Sequence, residues 1–143
     1  MSQIVQNTSS RSNLRPVLWA VPLAGVVSAT VNMLIWFLLR GDFDLIRVGQ
    51  PGQEMPFWSG AVILFSLVGA LGAGIVYALI SRFIRNPNQV FLWVAIAVLV
   101  LSFSMPFSIK NPPFSVVIGL ELMHVVVFCF MLWFVPRRHE PST

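Results

Sequence analysis

Four long apolar stretches restrict what this chain can fold into. They cover residues 17–39, 57–80, 89–105 and 113–135. A helix needs about 20 mostly apolar residues to cross the roughly 30 Å hydrocarbon core of a bilayer. Open strands are not expected there, because lipid offers no hydrogen-bond partner to an unpaired backbone group. The sequence therefore predicts an all-α membrane protein, an antiparallel bundle of four transmembrane helices in a single domain over residues 1–143.

Composition excludes the classes of protein that fold in water. The chain is 57% hydrophobic and 10% charged, whereas a soluble domain has roughly 45–50% apolar and about 25% charged residues. Cys129 is the single cysteine, so no disulfide forms within the chain. The nine Lys and Arg residues stand at the ends of the apolar stretches. This placement predicts the lipid bilayer as a partner and argues against nucleic acid.

The basic residues are divided unequally between the two ends of the predicted bundle. Three lie on one side, at Arg40, Arg47 and Lys110. Six lie on the other side, at Arg11, Arg15, Arg82, Arg85, Arg137 and Arg138. Short flanks rich in Lys and Arg stay on the cytoplasmic side. We therefore expect a multi-pass protein of the plasma membrane with both termini cytoplasmic, including a disordered arm at 1–13 and a tail at 137–143.

The tryptophans lie near the ends of the predicted helices. They are Trp19, Trp36, Trp58, Trp93 and Trp133. Indole rings favour the level of the lipid headgroups, so we expect these five side chains to be interfacial anchors.

The connection at 40–56 is 17 residues long and is predicted to lie on the outer side. Apolar residues at Phe43, Leu45, Ile46 and Val48 lead into the turn-rich sequence GQPG at 49–52. This pattern is compatible with a short hairpin or a flap over the mouth of the bundle. A solvated loop with a few apolar anchors is the alternative.

Small residues are concentrated in the second predicted helix. Gly69, Ala70, Ala73 and Gly74 form pairs spaced by four residues. Such pairs let helix backbones approach closely within lipid. They predict the central packing surface of the bundle, with a dimer interface as the alternative.

Glu121 and His124 are the ionisable residues well inside an apolar stretch. Their spacing of three places them on one face of the fourth helix. Counting depth along the helices places Asn32, Ser66 and Ser102 in the same outer half of the membrane as Glu121. Buried polar groups need partners, so we expect these five residues to form one polar cluster beneath the long loop.

Three interpretations of that cluster stay open. The first is a hydrogen-bond network that fixes helix packing. The second is a proton-linked or ligand-binding site, because a buried carboxyl and imidazole can exchange protons near neutral pH. The third is a metal site, suggested by the Glu-x-x-His spacing. A di-iron centre needs a second such pair and further carboxylates, which the apolar stretches lack, so no metal is predicted.

Several segments resemble a family known as a domain of unknown function, made up of small bacterial integral membrane proteins with four predicted helices. The resemblance covers about residues 41–138. It rests on FDLIRV in the long loop, SLVGALGAGIVYALISRFIRNP in the second helix, VFLWVAIAVLVLSFSMPF in the third and LELMHVVVF in the fourth. The resemblance implies the fold and the membrane location and no established activity.

No catalytic motif is recognisable. The sequence has no glycine-rich phosphate loop, no cysteine pair and no interfacial acidic motif for a divalent cation. We therefore expect a non-enzymatic accessory, regulatory or structural subunit of a membrane assembly, without a cofactor, whose partner is another membrane protein or a second copy. The alternative is a small transporter or receptor with its site around Glu121, His124 and Asn32.

Overall fold

The computed structural model describes residues 15–49, 52–109 and 111–135. The arm expected at 1–13 and the tail expected at 137–143 lie outside the described residues, as does Lys110.

Helices account for most of the described chain. In chain order they are α1 (Arg15–Leu38), the one-turn α2 (Arg40–Phe43), α3 (Ser59–Phe83), α4 (Pro87–Ser102) and α5 (Phe114–Phe134). Two short strands, β1 (Arg47–Val48) and β2 (Met55–Pro56), lie between α2 and α3. The four long helices are each long and apolar enough to cross a membrane. The prediction of a four-helix transmembrane protein is confirmed, with helix ends that differ by a few residues from the predicted ones.

The end of the third helix differs from the prediction, which placed it at 105. The α-helix ends at Ser102, and a 3₁₀ turn at Met105–Ser108 continues the apolar span. Pro106 explains the early end, because a proline ring clashes with the carbonyl four residues earlier, here that of Ser102. The hydroxyls of Ser102 and Ser104 donate to the carbonyls of Leu99 and Leu101, at 2.7 Å each.

Helices α3 and α5 form a central pair in the bundle. Helix α1 packs against α3 and α5, and α4 packs against the same two helices. Helix α1 is the most enclosed, with 39% of its apolar window buried, whereas α4 has only 11%. The surface of α4 is therefore mostly turned away from the bundle.

Small residues bring α1 and α3 close together. A Cβ atom placed on Gly74 would lie 2.6 Å from both methyl carbons of Val21, and one on Gly25 would lie 3.1 Å from Cβ of Ala70. The first distance is shorter than a Cβ atom normally tolerates, so glycine is needed opposite Val21, and the second is tight enough that a side chain at position 25 would press on Ala70. Ala73 packs beside the same contact, and Gly69 faces α5, with Val127 as its neighbour.

Two apolar clusters form the core at opposite ends of the bundle. The cluster beside the connection at 40–56, here called the cap-side cluster, consists of Phe43, Ile46, Val62, Val116 and Met123. The cluster at the other end, beside the connection between α3 and α4 and here called the basic-end cluster, consists of Val21, Ala24, Ala70, Tyr77, Phe91, Met131 and Val135. Buried polar residues lie between the two clusters along α1.

The connection predicted as a hairpin, flap or solvated loop folds as a compact hairpin. Strand β1 pairs antiparallel with β2, with Arg47 opposite Pro56 and Val48 opposite Met55. Gly49 permits the turn: its φ is +133°, and a Cβ there would lie 2.7 Å from the Gln53 carbonyl oxygen. We call residues 40–49 and 52–56 the cap.

The cap is anchored by its apolar side chains. Phe43 is fully buried and its ring stacks on that of Phe57 at 5.2 Å. Ile46 is also buried, and the Phe57 amide donates to its carbonyl. Leu45 remains exposed. The hairpin thus closes one end of the α1–α5 contact, where Gly119 faces Phe43.

Candidate functional site

A layer of buried polar side chains lies between the two apolar clusters. Ser28, Asn32 and Ser66 are 0%, 2% and 4% exposed. Ser28 and Asn32 lie one helical turn apart on α1, and Ser66 lies opposite on α3. Polar side chains this deep in an apolar bundle are costly unless they are paired, so their partners determine what the layer can do.

Asn32 joins three helices through its amide. Its Nδ2 donates to Oγ of Ser66 at 2.9 Å and to the carbonyl oxygen of Met123 on α5 at 3.4 Å. The Ser66 hydroxyl itself donates to the Val62 carbonyl at 2.7 Å, so it accepts from Asn32. Because a carbonyl only accepts, the Met123 contact fixes which way the amide points.

Four buried polar atoms have no hydrogen-bond partner among the described residues. They are Oγ of Ser28, Oδ1 of Asn32, Nε1 of Trp36 and Oε2 of Glu121. Ser28, Asn32 and Trp36 follow one another at single-turn spacing on α1. Leaving such atoms without a partner costs about 1–3 kcal/mol each, which makes this stripe the most unusual polar feature in the described part of the bundle.

Glu121 lies on a different side of α5 from the residues that meet α1. Gly119 faces Leu39 and Phe43, and Glu121 is displaced from it by about 160° around the helix at 3.6 residues per turn. Leu132, eleven residues or about three turns further on, lines a cavity together with Phe91 of α4. Glu121 therefore shares the α4-facing side of α5.

The imidazole of His124 bonds within its own helix. Its Nδ1 lies 2.7 Å from the Leu120 carbonyl oxygen. Since the carbonyl only accepts, Nδ1 carries the proton, and in the neutral ring Nε2 is left as an acceptor. His124 is half-buried and lies one turn from Glu121 on the flank of α5.

The predicted cluster of five residues is only partly brought together. Asn32 and Ser66 are bonded to each other, whereas Ser102 and His124 bond to backbone within their own helices. Ser28 and Trp36 were missed as members of the polar layer. Their spacing of four on either side of Asn32 was the available signal, because residues four apart share a helix face.

Four of the five tryptophans are exposed at helix ends. Trp19, Trp58, Trp93 and Trp133 are all well exposed, which suits contact with lipid headgroups. Trp36 differs, because it packs against the cap-side cluster and its Nε1 is buried. The structure thus places Trp36 in the polar layer.

The cavity lined by Leu132 and Phe91 lies between α3, α4 and α5, at the end of the bundle opposite the cap. Its volume is about 340 Å³ and its lining is mostly apolar. At its edge the Tyr77 hydroxyl donates to Oδ1 of Asn88 at 2.9 Å. Within residues 15–49, 52–109 and 111–135, no three His, Cys, Asp or Glu side chains come together as a metal-binding group.

Comparison with known proteins gives one match. The model of a family described as a family of unknown function (DUF6069) matches residues 12–141. This match confirms the resemblance to an uncharacterised family. Searches of curated proteins and of solved structures each found no significant match.

Proposed function

The chain belongs to this family of unknown function, and we propose that it is a non-enzymatic accessory or structural subunit of a larger membrane assembly. The observation that carries the proposal is the Asn32 amide, whose two N–H groups donate hydrogen bonds that join α1 to α3 and α5. N–H groups used in this way hold the bundle together and are not available to a substrate.

The exposed face of α4 supports a role in assembly. Helix α4 is the least buried of the four spans, at 11%, and large apolar side chains such as Trp93, Val98 and Leu101 point outward. Within lipid, van der Waals packing and interhelical hydrogen bonds drive association. The partner we propose is another multi-pass membrane protein, packed along this face.

Site-specific photocrosslinking in native membranes tests the proposal. A photoreactive residue at Val98 on α4 is compared with one at Leu34 on α1, because the two positions are 59% and 60% exposed. We expect a discrete adduct with a second membrane protein from Val98 and only lipid adducts from Leu34. Lipid adducts alone from both positions would contradict the proposal.

A small transporter or receptor is the second candidate, supported by a different observation. One carboxyl oxygen of Glu121 is buried without a partner among the described residues, and Nε2 of His124, the ring nitrogen that faces away from the Leu120 carbonyl, has no bond within the helix. An unpaired ionisable group inside a membrane span is a typical binding or proton-transfer group.

Glu121→Gln separates the two candidates. Loss of proton-coupled uptake or of ligand binding, with normal expression and thermal stability, would favour the site. Loss of assembly or of thermal stability, with no transport to lose, would favour packing. Glu54→Gln is the matched control, since Glu54 is exposed outside the spans.

We also propose the orientation of the bundle. Arg82 lies in the last turn of α3 and Arg85 on the connection to α4, at the end of the bundle where α1 begins and α5 ends. The excess of basic residues in these flanks supports a cytoplasmic location for this end and a plasma-membrane location for the protein.

A further inference from the structure

We propose that Ser28, Asn32 and Trp36, here called the polar seam, bind a short file of water molecules that extends from the cap to the middle of the membrane. The proposal concerns a binding site for water and is compatible with either proposed function. It rests on burial, on the pairing of each polar atom and on the spacing along α1.

Each residue of the polar seam has one buried polar atom without a hydrogen-bond partner among the described residues. Ser28 and Asn32 are 0% and 2% exposed, so bulk solvent does not reach them directly. Oγ of Ser28, Oδ1 of Asn32 and Nε1 of Trp36 have no partner among the described residues. Buried polar groups that lack protein partners are the usual sites of internal water.

The order of donors and acceptors suits bridging water. The Trp36 indole N–H only donates, Oδ1 of Asn32 only accepts, and the Ser28 hydroxyl does both. One water between Trp36 and Asn32 accepts from the indole and donates to the amide oxygen. A second water between Asn32 and Ser28 donates to the same amide oxygen and accepts from the hydroxyl.

The spacing agrees with this chemistry. Side chains four apart on a helix have Cβ atoms about 5–6 Å apart. A direct hydrogen bond needs about 2.7–3.2 Å between heavy atoms, so two hydrogen bonds in series through one water span the gap. The Cβ spacing along the polar seam therefore suits one bridging water at each step.

The file opens toward the cap. Trp36 forms its outer end, and the Arg40 guanidinium lies 5.7 Å from the Trp36 ring. The Arg40 side chain is 62% exposed and pairs with Asp44 at 3.8 Å. A hydrated cation thus stands about one turn above the indole N–H, which gives water a polar entrance.

The file ends in the middle of the membrane. Ser28 lies ten residues before Leu38, or about 15 Å at 1.5 Å per residue, which is half of the roughly 30 Å hydrocarbon core. Below Ser28 the same face continues with Ala24 and Val21, both buried in the basic-end cluster. These apolar side chains close the path, so the polar seam is a blind inlet and does not cross the membrane.

Radiolytic hydroxyl-radical labelling of the full-length protein in lipid nanodiscs tests the proposal without a substitution. Radicals formed from bound water oxidise the side chains beside it. Met123 and Met131 are both buried on α5, at 7% and 3% exposed. The Met123 carbonyl contacts Asn32, whereas Met131 belongs to the basic-end cluster.

We expect Met123 to be oxidised several-fold faster than Met131. Asn32→Leu should reduce Met123 oxidation to the Met131 level and leave that of the exposed Met55 unchanged. Equal, slow oxidation of Met123 and Met131 in the native protein would overturn the proposal.

The thermal stability of Ser28→Ala gives a second measurement. A hydroxyl bonded to water stabilises the fold, so we expect Ser28→Ala to lower the midpoint of thermal unfolding. A dry, unpaired hydroxyl would destabilise it, and a raised midpoint would therefore contradict the file. Thr30→Val is the control, because the exposed Thr30 hydroxyl donates to the Val26 carbonyl at 2.9 Å within the same helix, and little change is expected.

Discussion

At Asn32 a single amide supplies contacts that no apolar side chain provides. Its two N–H groups reach a hydroxyl on α3 and a backbone carbonyl on α5. Hydrogen bonds between membrane helices contribute about 0.6 kcal/mol on average and up to about 1.7 kcal/mol. They have direction, however, and so they fix the rotation of α1 relative to its neighbours.

Asn32→Leu is expected to lower the free energy of unfolding by about 1–2 kcal/mol, because two interhelical hydrogen bonds are lost while the branched shape of the side chain is kept. Reversible unfolding in mixed detergent and lipid micelles measures the change. Ser102→Ala is the control and should change stability by less than about 0.5 kcal/mol, since the Ser102 hydroxyl bonds only to the backbone of its own helix. Equal effects of the two substitutions would contradict a bridging role for Asn32.

At the scale of the helices, the α1–α3 contact depends on glycine at particular positions of α3. Gly74 faces Val21, whereas Gly72 has nothing within 4 Å of the place where a Cβ would stand. The same residue type therefore serves close packing at one position and lies at an open surface only two residues away. The sequence spacing agrees with this difference, because Gly74 has a small residue, Ala70, four positions earlier and Gly72 has none.

Gly74→Ala should destabilise the bundle by about 1–3 kcal/mol, because the added methyl group overlaps the Val21 side chain. Gly72→Ala should be neutral, or more stable by up to about 1 kcal/mol from helix propensity. Unfolding of both variants in the same micelles distinguishes them. If Gly72→Ala proves the more damaging of the two, the contact between α1 and α3 has been placed on the wrong face.

At the scale of the whole molecule, four antiparallel spans place the start of α1 and the end of α5 at the same end of the bundle. The cap then lies opposite the connection between α3 and α4. Charge distribution along the sequence favours a cytoplasmic location for that connection. The packing contacts between the helices are the same in either orientation of the bundle.

Single-cysteine labelling with a membrane-impermeant maleimide tests this orientation. In a Cys129→Ala background, Glu54→Cys in the cap should react in intact cells, and Arg85→Cys should react only after the membrane is opened. Both residues are exposed, so accessibility within the fold is matched. The reverse pattern would show an inverted bundle.

The sequence by itself determined the number of spans and their approximate ends. The second predicted span, 57–80, compares with Ser59–Phe83. The third, 89–105, compares with an α-helix that ends three residues earlier, at Ser102, ahead of Pro106. Such features follow from local hydrophobicity and backbone chemistry, which are properties of each segment alone.

Only the tertiary structure decided which polar residues meet. It joined Asn32 to Ser66 of α3 and to the Met123 carbonyl of α5, and it buried Ser28 in the same layer. In water, an apolar stripe tells which face of a helix is buried. In lipid, the outward and inward faces are both apolar, so the rotation of each helix is set by interhelical packing and hydrogen bonds that only the assembled bundle contains.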